Sequence, residues 1–389
     1  MRILIIAYDY LPGLGGVAGC SIELAQALSS SPGVDVHVIA PASQDYKSDF
    51  NIDRARRFFT VRVRMSKRPE LAILPLAWAT HRVIRRWKPD LVIDTLWLPC
   101  GMATSLALSL SPGCRTKQGI LVHAVEILEG TRTLRKWLRA RLAFIKRAVF
   151  RRADFIFPVS TYTAELVRTQ CGARPGQLVQ IQNGVNLDRF YPAKTNFERK
   201  DFAAEGQKII FTLARLEAYK GVDIMLAALA KLAKKNLRCQ YLIGGTGPDR
   251  PRLERITREL GLDAQVRFLG KVPDSRLRDY YNLCDLFVLL SRIELQAPNV
   301  EGFGLVYLEA AACGKPSIAP NVGGPRDAVL DGKTGLHVNP EDPDAVAQAL
   351  EKLLSSPPRL AELGQNALLR AREEYSWSRV ASGLLRGIS

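Results

Sequence analysis

Two glutamates eight residues apart, Glu301 and Glu309, frame the run Glu-Gly-Phe-Gly-Leu-Val-Tyr-Leu-Glu. Its apolar second half predicts a short buried helix, stopped by Gly314 and Pro316. A helix starting near Gly302 offers unpaired N–H groups and its positive dipole end to an anion. Eight helical residues rise by about 12 Å. Two carboxylates so spaced, with an anion site at the helix start, suit a long ligand with an anionic middle. Sugar, diphosphate and ribose in a row have that layout. Most glutamates are solvated surface charges, but Glu309 lies among Val306, Tyr307, Leu308, Ala310 and Ala311, where a carboxylate needs a partner.

Other polar features fall at the ends of apolar runs. Arg215 and Lys220 follow the run Lys208–Leu213. They read either as two solvated cations or as a pair that neutralises a diphosphate leaving group without a metal. His123 ends the run Ile120–His123 and is either structural or catalytic. Gly244-Gly-Thr-Gly247 and Asn321-Val-Gly323-Gly324-Pro each follow a strand candidate, as close-approach turns do. The loop Gly13–Gly19, which includes Gly15 and Gly16, follows the first apolar run. It is either a tight turn or a place where backbone N–H groups meet a phosphate. It lacks Gly-Lys-Ser/Thr, and no acidic residue follows the second run at Val38-Ile39-Ala40-Pro41. Both points argue against a P-loop and a dinucleotide site.

The elements that must position these residues alternate along the chain. Ile3–Ala7, Val34–Ala40, Leu91–Asp94, Gly119–His123, Phe155–Val159 and Val179–Gln182 read as buried strands separated by helical patterns. The segment 186–207, with Pro192 and mixed charge, reads as a linker. A second set follows with Lys208–Leu213, Gln240–Ile243, Val266–Leu269, Leu286–Leu290, Ser317–Ala319 and Leu336–Val338, closed by helices near 345–354, 359–373 and 376–385. The expectation is two doubly wound α/β domains, residues 1–190 and 206–373, facing across a cleft, with a C-terminal helix about 374–389 returning to the first.

With 389 residues and 47% hydrophobic content, the chain is long enough for two ordinary cores. Its seven cysteines are scattered and its four histidines do not cluster, so a zinc site or disulfide framework is not expected. The N-terminus turns polar too soon for a signal peptide, and no stretch reaches the ~18 apolar residues of a membrane span. A cytoplasmic protein, soluble or peripheral, is expected. The net charge of +17 is uneven: residues 1–195 hold 28 Lys and Arg against 14 Asp and Glu, and the remainder 27 against 24. One half is therefore expected to meet an anionic surface.

Residues 132–152 sharpen that expectation. Leu134, Trp137, Leu138, Leu142, Ile145 and Val149 recur at helical spacing among nine cations. A basic amphipathic helix with Trp suits the anionic inner face of a plasma membrane, where the acceptor would be lipid-linked or a glycan. The plainer reading packs this helix on its own sheet with a solvated basic face. A second basic cluster, Arg54 to Arg68 with Phe58 and Phe59 interleaved, is a candidate to join it. No nucleic-acid-binding motif accompanies the charge.

Taken together, Glu301-x7-Glu309 with its Gly-Phe-Gly and Glu-Ala-x-Ala-Cys-Gly-Lys-Pro context, Arg215…Lys220-Gly221, Asn183-Gly-Val and Gly323-Gly324 resemble the family-4 retaining glycosyltransferases of GT-B fold. The resemblance covers nearly the whole chain and is strongest over 208–340. It implies that Arg215 and Lys220 hold a donor diphosphate, that Glu301 binds hydroxyls of the transferred sugar and that Glu309 binds the ribose. It implies that backbone amides of Phe303, Gly304 and Leu305 meet sugar and phosphate. Gly244 and the main chain of Leu269, Gly270 and Lys271 would flank the nucleotide, Gly15 and Gly16 would approach the sugar phosphate, and His123 would contact the sugar near the reacting centre. The family generally needs no divalent metal or other cofactor, and no Asp-x-Asp cluster stands here. The implied donor is a UDP- or GDP-sugar. Two departures are visible: Pro325-Arg326-Asp327 follows Gly324 where the family often has Glu, and the segment 291–300, with Pro298, is long. A nucleotide-sugar 2-epimerase shares the fold but gives the basic helix no task. A non-catalytic nucleotide-sugar-binding subunit would tend to have lost Arg215, Lys220, Glu301 or Glu309.

Overall fold

A computed structural model describes residues 1–11, 15–128, 136–294 and 299–389. Gly13, residues 132–135 of the basic segment and Pro298 lie outside the described residues. The chain divides into two compact units, one of residues 1–184 and 377–389, the other of residues 185–376.

The first unit is built on a parallel sheet of β1 (Arg2–Ile6), β2 (Asp35–Pro41), β3 (Phe59–Val63), β4 (Leu91–Asp94), β5 (Lys117–Val122) and β6 (Phe155–Pro158), in the order β3-β2-β1-β4-β5-β6. Strand alternation sends its apolar residues to two cores. Ile3, Ile5, Val38 and Ile93 pack with Leu24 and Leu28 of the helix Gly16–Ser29 and with Ala381 and Leu384 of the helix Trp377–Ile388. Leu4, Ile6, Ile39 and Val92 pack with Ala72, Leu76 and Ile84 of the helix Pro69–Trp87. The strand order reverses between β1 and β4, which is the switch point of a doubly wound sheet.

The second unit repeats that topology with β7 (Lys208–Leu213), β8 (Cys239–Gly244), β9 (Val266–Gly270), β10 (Leu286–Val288), β11 (Ser317–Pro320) and β12 (Gly335–Val338), ordered β12-β11-β10-β7-β8-β9. One core joins Ile210, Tyr241 and Val288 to Leu226, Leu229, Val346 and Leu350. The opposite face is aromatic: Phe287 meets Tyr307 edge-on at 5.6 Å, and Phe211 meets Tyr281 edge-on at 5.4 Å.

Three expectations shift. Phe59–Val63 is an edge strand rather than part of a basic surface cluster alone. The segment 179–182 forms no strand, although Val179 N–H and Ile181 N–H donate to the Ile156 and Pro158 carbonyls of β6. The segment 186–207 is not a free linker. Phe190 stacks edge-on against Tyr281, and the Asn196 side-chain amide donates to both carboxylate oxygens of Asp279 at 3.2 Å, which seats it on the second unit.

The chain passes between units at two neighbouring points. Gly184 lies so close to Trp377 that a Cβ would stand 2.7 Å from its ring, and Val185 N–H donates to the Tyr375 carbonyl at 2.7 Å.

Candidate active site

In the second unit the switch point lies between β7 and β10, which pair through Leu286 with Ile210. The residues after β7 carry Arg215 and Lys220, and those after β10 lead to Glu301. The topology thus brings together residues about eighty positions apart. Lys220 Nζ donates to Glu301 Oε2 at 2.6 Å, with both side chains mostly buried. Burial works against the Lys220 charge, but the Glu301 carboxylate and then Tyr219 outweigh it and raise the pKa. Lys220 Nζ also stands 4.6 Å from the centre of the Tyr219 ring. Arg215 is 73% exposed and touches Glu217 at 3.1 Å, leaving its guanidinium free to swing toward a ligand.

Main chain fixes this pair. Gly221 adopts φ +70°, and a Cβ there would stand 2.1 Å from the Leu290 carbonyl oxygen. The Arg292 guanidinium donates to the Ala218 carbonyl at 2.7 Å and to Asp223, and Arg292 N–H donates to the Tyr219 carbonyl at 2.7 Å. The turn bearing Lys220 is therefore tied to the segment that follows β10.

The loop after Glu301 is buttressed in the same way. Gly324 packs so tightly that a Cβ would meet the Gly302 carbonyl oxygen at 1.8 Å, and Gly324 N–H donates to the Glu301 carbonyl at 3.0 Å. The expected helix begins at Leu305 rather than near Gly302. The cause is Gly304, at φ +89°, with the Tyr307 ring 2.5 Å from where a Cβ would sit. Tyr307 is held by its hydroxyl donating to the Leu289 carbonyl at 2.6 Å. Among the described residues the N–H groups of Phe303, Gly304 and Leu305 have no acceptor, as a helix N-terminus that can hold an anion requires.

Glu309, half-buried on that helix, has the partner its apolar surroundings demand: Tyr281 donates its hydroxyl to Oε2 at 2.6 Å. Burial raises the Glu309 pKa, and the Tyr281 bond opposes it. One carboxylate oxygen is thereby committed, which leaves the group able to accept hydroxyl donors on its other side.

The remaining donor-side glycines divide. Gly245 and Gly247 press on the Ala214 and Leu216 carbonyl oxygens, where a Cβ would stand at 1.8 and 2.2 Å, so the main chain just after β7 accounts for them. Gly244 is the last residue of β8, buried among Val272, Leu213 and Phe211. Gly270, at φ +69°, ends β9 beside half-buried Leu269 and exposed Lys271, and its carbonyl accepts from Gly245 N–H at 2.7 Å.

In the first unit, Gly15 and Gly16 open the helix Gly16–Ser29, exposed, and a Cβ at Gly15 would have open space around it. His123 is the first residue after β5. Its backbone N–H donates to Glu126 Oε1 at 2.6 Å, and Ala124 turns the chain at φ +84°. The Trp97 indole N–H donates to the Glu126 carbonyl at 2.9 Å, and Lys146 Nζ donates to the Ile127 carbonyl at 3.1 Å. His123 Nε2 is buried with no partner among the described residues. Burial lowers the ring's pKa to about 4, against a backbone bond at Thr95, so the ring is neutral at neutral pH. Burial raises Glu126 to about 7, opposed by its hydrogen bonds and by Lys146.

Sequence reasoning missed Tyr219, Tyr281, Arg292 and Glu126. Each acts through a contact between distant segments or inside an irregular turn, where no periodicity marks it. Among the described residues no group of three His, Cys, Asp or Glu could hold a metal ion, and no helix is long and apolar enough to cross a membrane.

Known proteins resemble this chain over nearly its whole length. The family described as "Glycosyl transferases group 1" matches residues 193–370, and "Glycosyltransferase Family 4" matches residues 14–189. A GDP-mannose-dependent alpha-(1-6)-phosphatidylinositol monomannoside mannosyltransferase of Mycobacterium tuberculosis (strain CDC 1551 / Oshkosh) is 30% identical over 396 residues, covering 99% of this chain and 98% of the relative. Among solved structures, sucrose-phosphate synthase from Thermosynechococcus elongatus superposes with a TM-score of 0.80 at 23% identity, covering 99% and 98% of the two chains. Anabaena HepE in complex with UDP and glucose superposes with a TM-score of 0.76 at 20% identity, again covering 99% and 98%. Both structural likenesses bear on the fold.

Proposed function

The chain belongs to glycosyltransferase family 4, with the GT-B fold, and we propose that it moves mannose from GDP-mannose to a lipid-linked acceptor. The transfer would proceed with retention at the anomeric carbon, without a divalent metal, at the cytoplasmic face of the membrane. The observation that carries the donor site is the Lys220–Glu301 pair at 2.6 Å, ahead of three N–H groups without acceptors. The donor and acceptor classes rest on the printed name of the mycobacterial relative, which spans nearly the whole chain.

The residues fit the charge flow of that reaction. As the bond between sugar and phosphate breaks, negative charge grows on the diphosphate and positive charge on the sugar ring. Lys220, Arg215 and the amides of Phe303, Gly304 and Leu305 stabilise the first. Glu301, sharing Lys220, accepts hydroxyls of the sugar, and Glu309, oriented by Tyr281, accepts the ribose hydroxyls. Gly244 and the main chain of Leu269 to Lys271 border the base. On the first unit, His123, whose buried Nε2 has no partner among the described residues, and Gly15 and Gly16 remain the candidates for contact with sugar and phosphate. The basic helix Lys136–Arg152, with Phe144 77% exposed, supports a peripheral association with an anionic surface.

The test is transfer of label from GDP-mannose into an organic-extractable product in the presence of a chelator, with phosphatidylinositol mannosides and polyprenyl-linked glycans as acceptors. An α-linked mannolipid is expected. Donor turnover with no acceptor present would instead indicate an epimerase, and no turnover of either kind would reject the enzymatic reading.

A further inference from the structure

The helix Pro69–Trp87 has two apolar stripes, and only one of them is covered. Ala72, Leu76, Ala77 and Ile84 are buried against its own sheet and against Cys100, Ala103 and Ala107. Leu71, Leu74 and Trp78, spaced by three and four residues along one side, are 60%, 72% and 63% exposed. Phe59, on the edge strand β3, is 61% exposed. Contiguous exposure of large apolar side chains marks an interaction surface rather than the scatter of a normal exterior.

The charge beside this stripe says what would cover it. A groove of about 610 Å³ runs between β3 and the helix, bordered by Phe59, Trp78, Trp87, Arg64, Arg82 and Arg86. The Trp87 ring stacks on His37 at 3.7 Å, which fixes the groove's inner wall. Arg64, Arg82 and Arg86 are exposed, and among the described residues none has a carboxylate partner. Arg62, two residues before Arg64, is by contrast held by Asp53 at 2.7 Å and by Asp49. The helix carries one acidic residue, Glu70. Apolar side chains without cover beside guanidiniums without partners are complementary to a layer that is both apolar and anionic.

We propose that the helix Pro69–Trp87 and the edge strand β3 dock on an anionic phospholipid bilayer, with Leu71, Leu74, Trp78 and Phe59 entering the acyl boundary and Arg64, Arg82 and Arg86 meeting lipid phosphates. The proposal rests on the reading that the enzyme works at a membrane, and it names a contact surface separate from the Lys136–Arg152 helix. A soluble anion would leave the leucines and Trp78 uncovered, and an apolar protein partner would leave the guanidiniums unpaired.

The full chain is sedimented with phosphatidylcholine vesicles and with the same vesicles doped with phosphatidylglycerol. Wild type is expected to bind the doped vesicles, and the double variant Leu74→Glu with Trp78→Glu to lose about tenfold or more in vesicle affinity. That variant should keep its thermal shift with GDP, which shows it is folded. Arg64→Glu with Arg82→Glu should remove the preference for phosphatidylglycerol. If wild type binds while the Leu74 and Trp78 variant binds equally well, and Arg147→Glu with Arg151→Glu abolishes binding, this face is overturned and the membrane reading stands. If wild type binds neither vesicle, both fall. A concentration-dependent dimer that the Leu74 and Trp78 variant dissolves would assign the face to a second copy and overturn the proposal.

Discussion

The two units share one sheet topology but shape their candidate residues by opposite means. In the second unit, main chain presses on main chain: Gly221 on Leu290 and Gly324 on Gly302, with no room for a Cβ. In the first unit, the turn at His123 contains no glycine. Side chains hold it, through Glu126 on the His123 N–H, Trp97 on the Glu126 carbonyl and Lys146 on the Ile127 carbonyl. A site made of backbone tolerates almost no substitution where the chains touch. A site held by side chains can lose one bond and carries buried titratable groups instead.

The largest test of that contrast is the charge at the backbone-built site. Lys220→Ala leaves Glu301 without its partner and removes the cation proposed to meet the leaving group. Steady-state kinetics should show a loss of about 10²–10³ in kcat, the scale of losing one transition-state donor. An effect on KM alone would mean that Lys220 serves only binding. Next is Gly324→Ala, whose methyl group overlaps the Gly302 carbonyl oxygen. Urea unfolding should show a destabilisation of about 1–3 kcal/mol, typical of overpacking, together with a lost GDP response. Stability equal to wild type would show that the loop yields easily.

The side-chain-held turn should answer to pH. Glu126 titrates near 7 in the folded chain against an ordinary 4.5, so the folded state keeps a proton that the unfolded state has lost. Its contribution makes stability fall as pH rises from about 4.5 to about 7. His123, lowered from 6.5 to about 4, acts in the opposite sense, and its contribution is lost as pH falls through that window. Glu126→Gln still accepts from the His123 N–H but cannot ionise. Urea midpoints at pH 5 and pH 8 should show a gain for the variant over wild type at pH 8 that shrinks at pH 5. An equal difference at both values would show that the carboxyl does not titrate in this range. The smallest effect is expected from Gly15→Ala, where a Cβ meets nothing within 4 Å. Its stability should stay within about 0.5 kcal/mol of wild type, and a larger loss would mean that this glycine is pressed as Gly324 is.

The same contrast explains what could be read before any coordinates. Most strand positions in both units followed from continuous apolar runs, since parallel strands are buried on both faces. The backbone-built site left its mark as Gly221, Gly304 and Gly323-Gly324 beside Glu301, so the second unit was the more legible. β3 was obscured because Arg62 lies within it and Arg64 just beyond it, and the pairing of Arg62 to Asp49 and Asp53 is a tertiary fact. The helix start was misplaced by three residues because periodicity cannot sense that Gly304 is left-handed. Tyr281, 28 positions before Glu309, meets it only through packing, and Glu126 gained meaning only once the turn was seen to close on His123.

The central claim is that the second unit binds a guanosine diphosphate-sugar through Lys220, the Glu301 loop and Glu309. The most direct measurement is the thermal shift of wild type and Glu309→Gln with GDP and with UDP, in the presence of a chelator. A rise in Tm with GDP that exceeds the rise with UDP, and that Glu309→Gln largely abolishes, is the result predicted. No shift with GDP, or an undiminished shift in the variant, would contradict it.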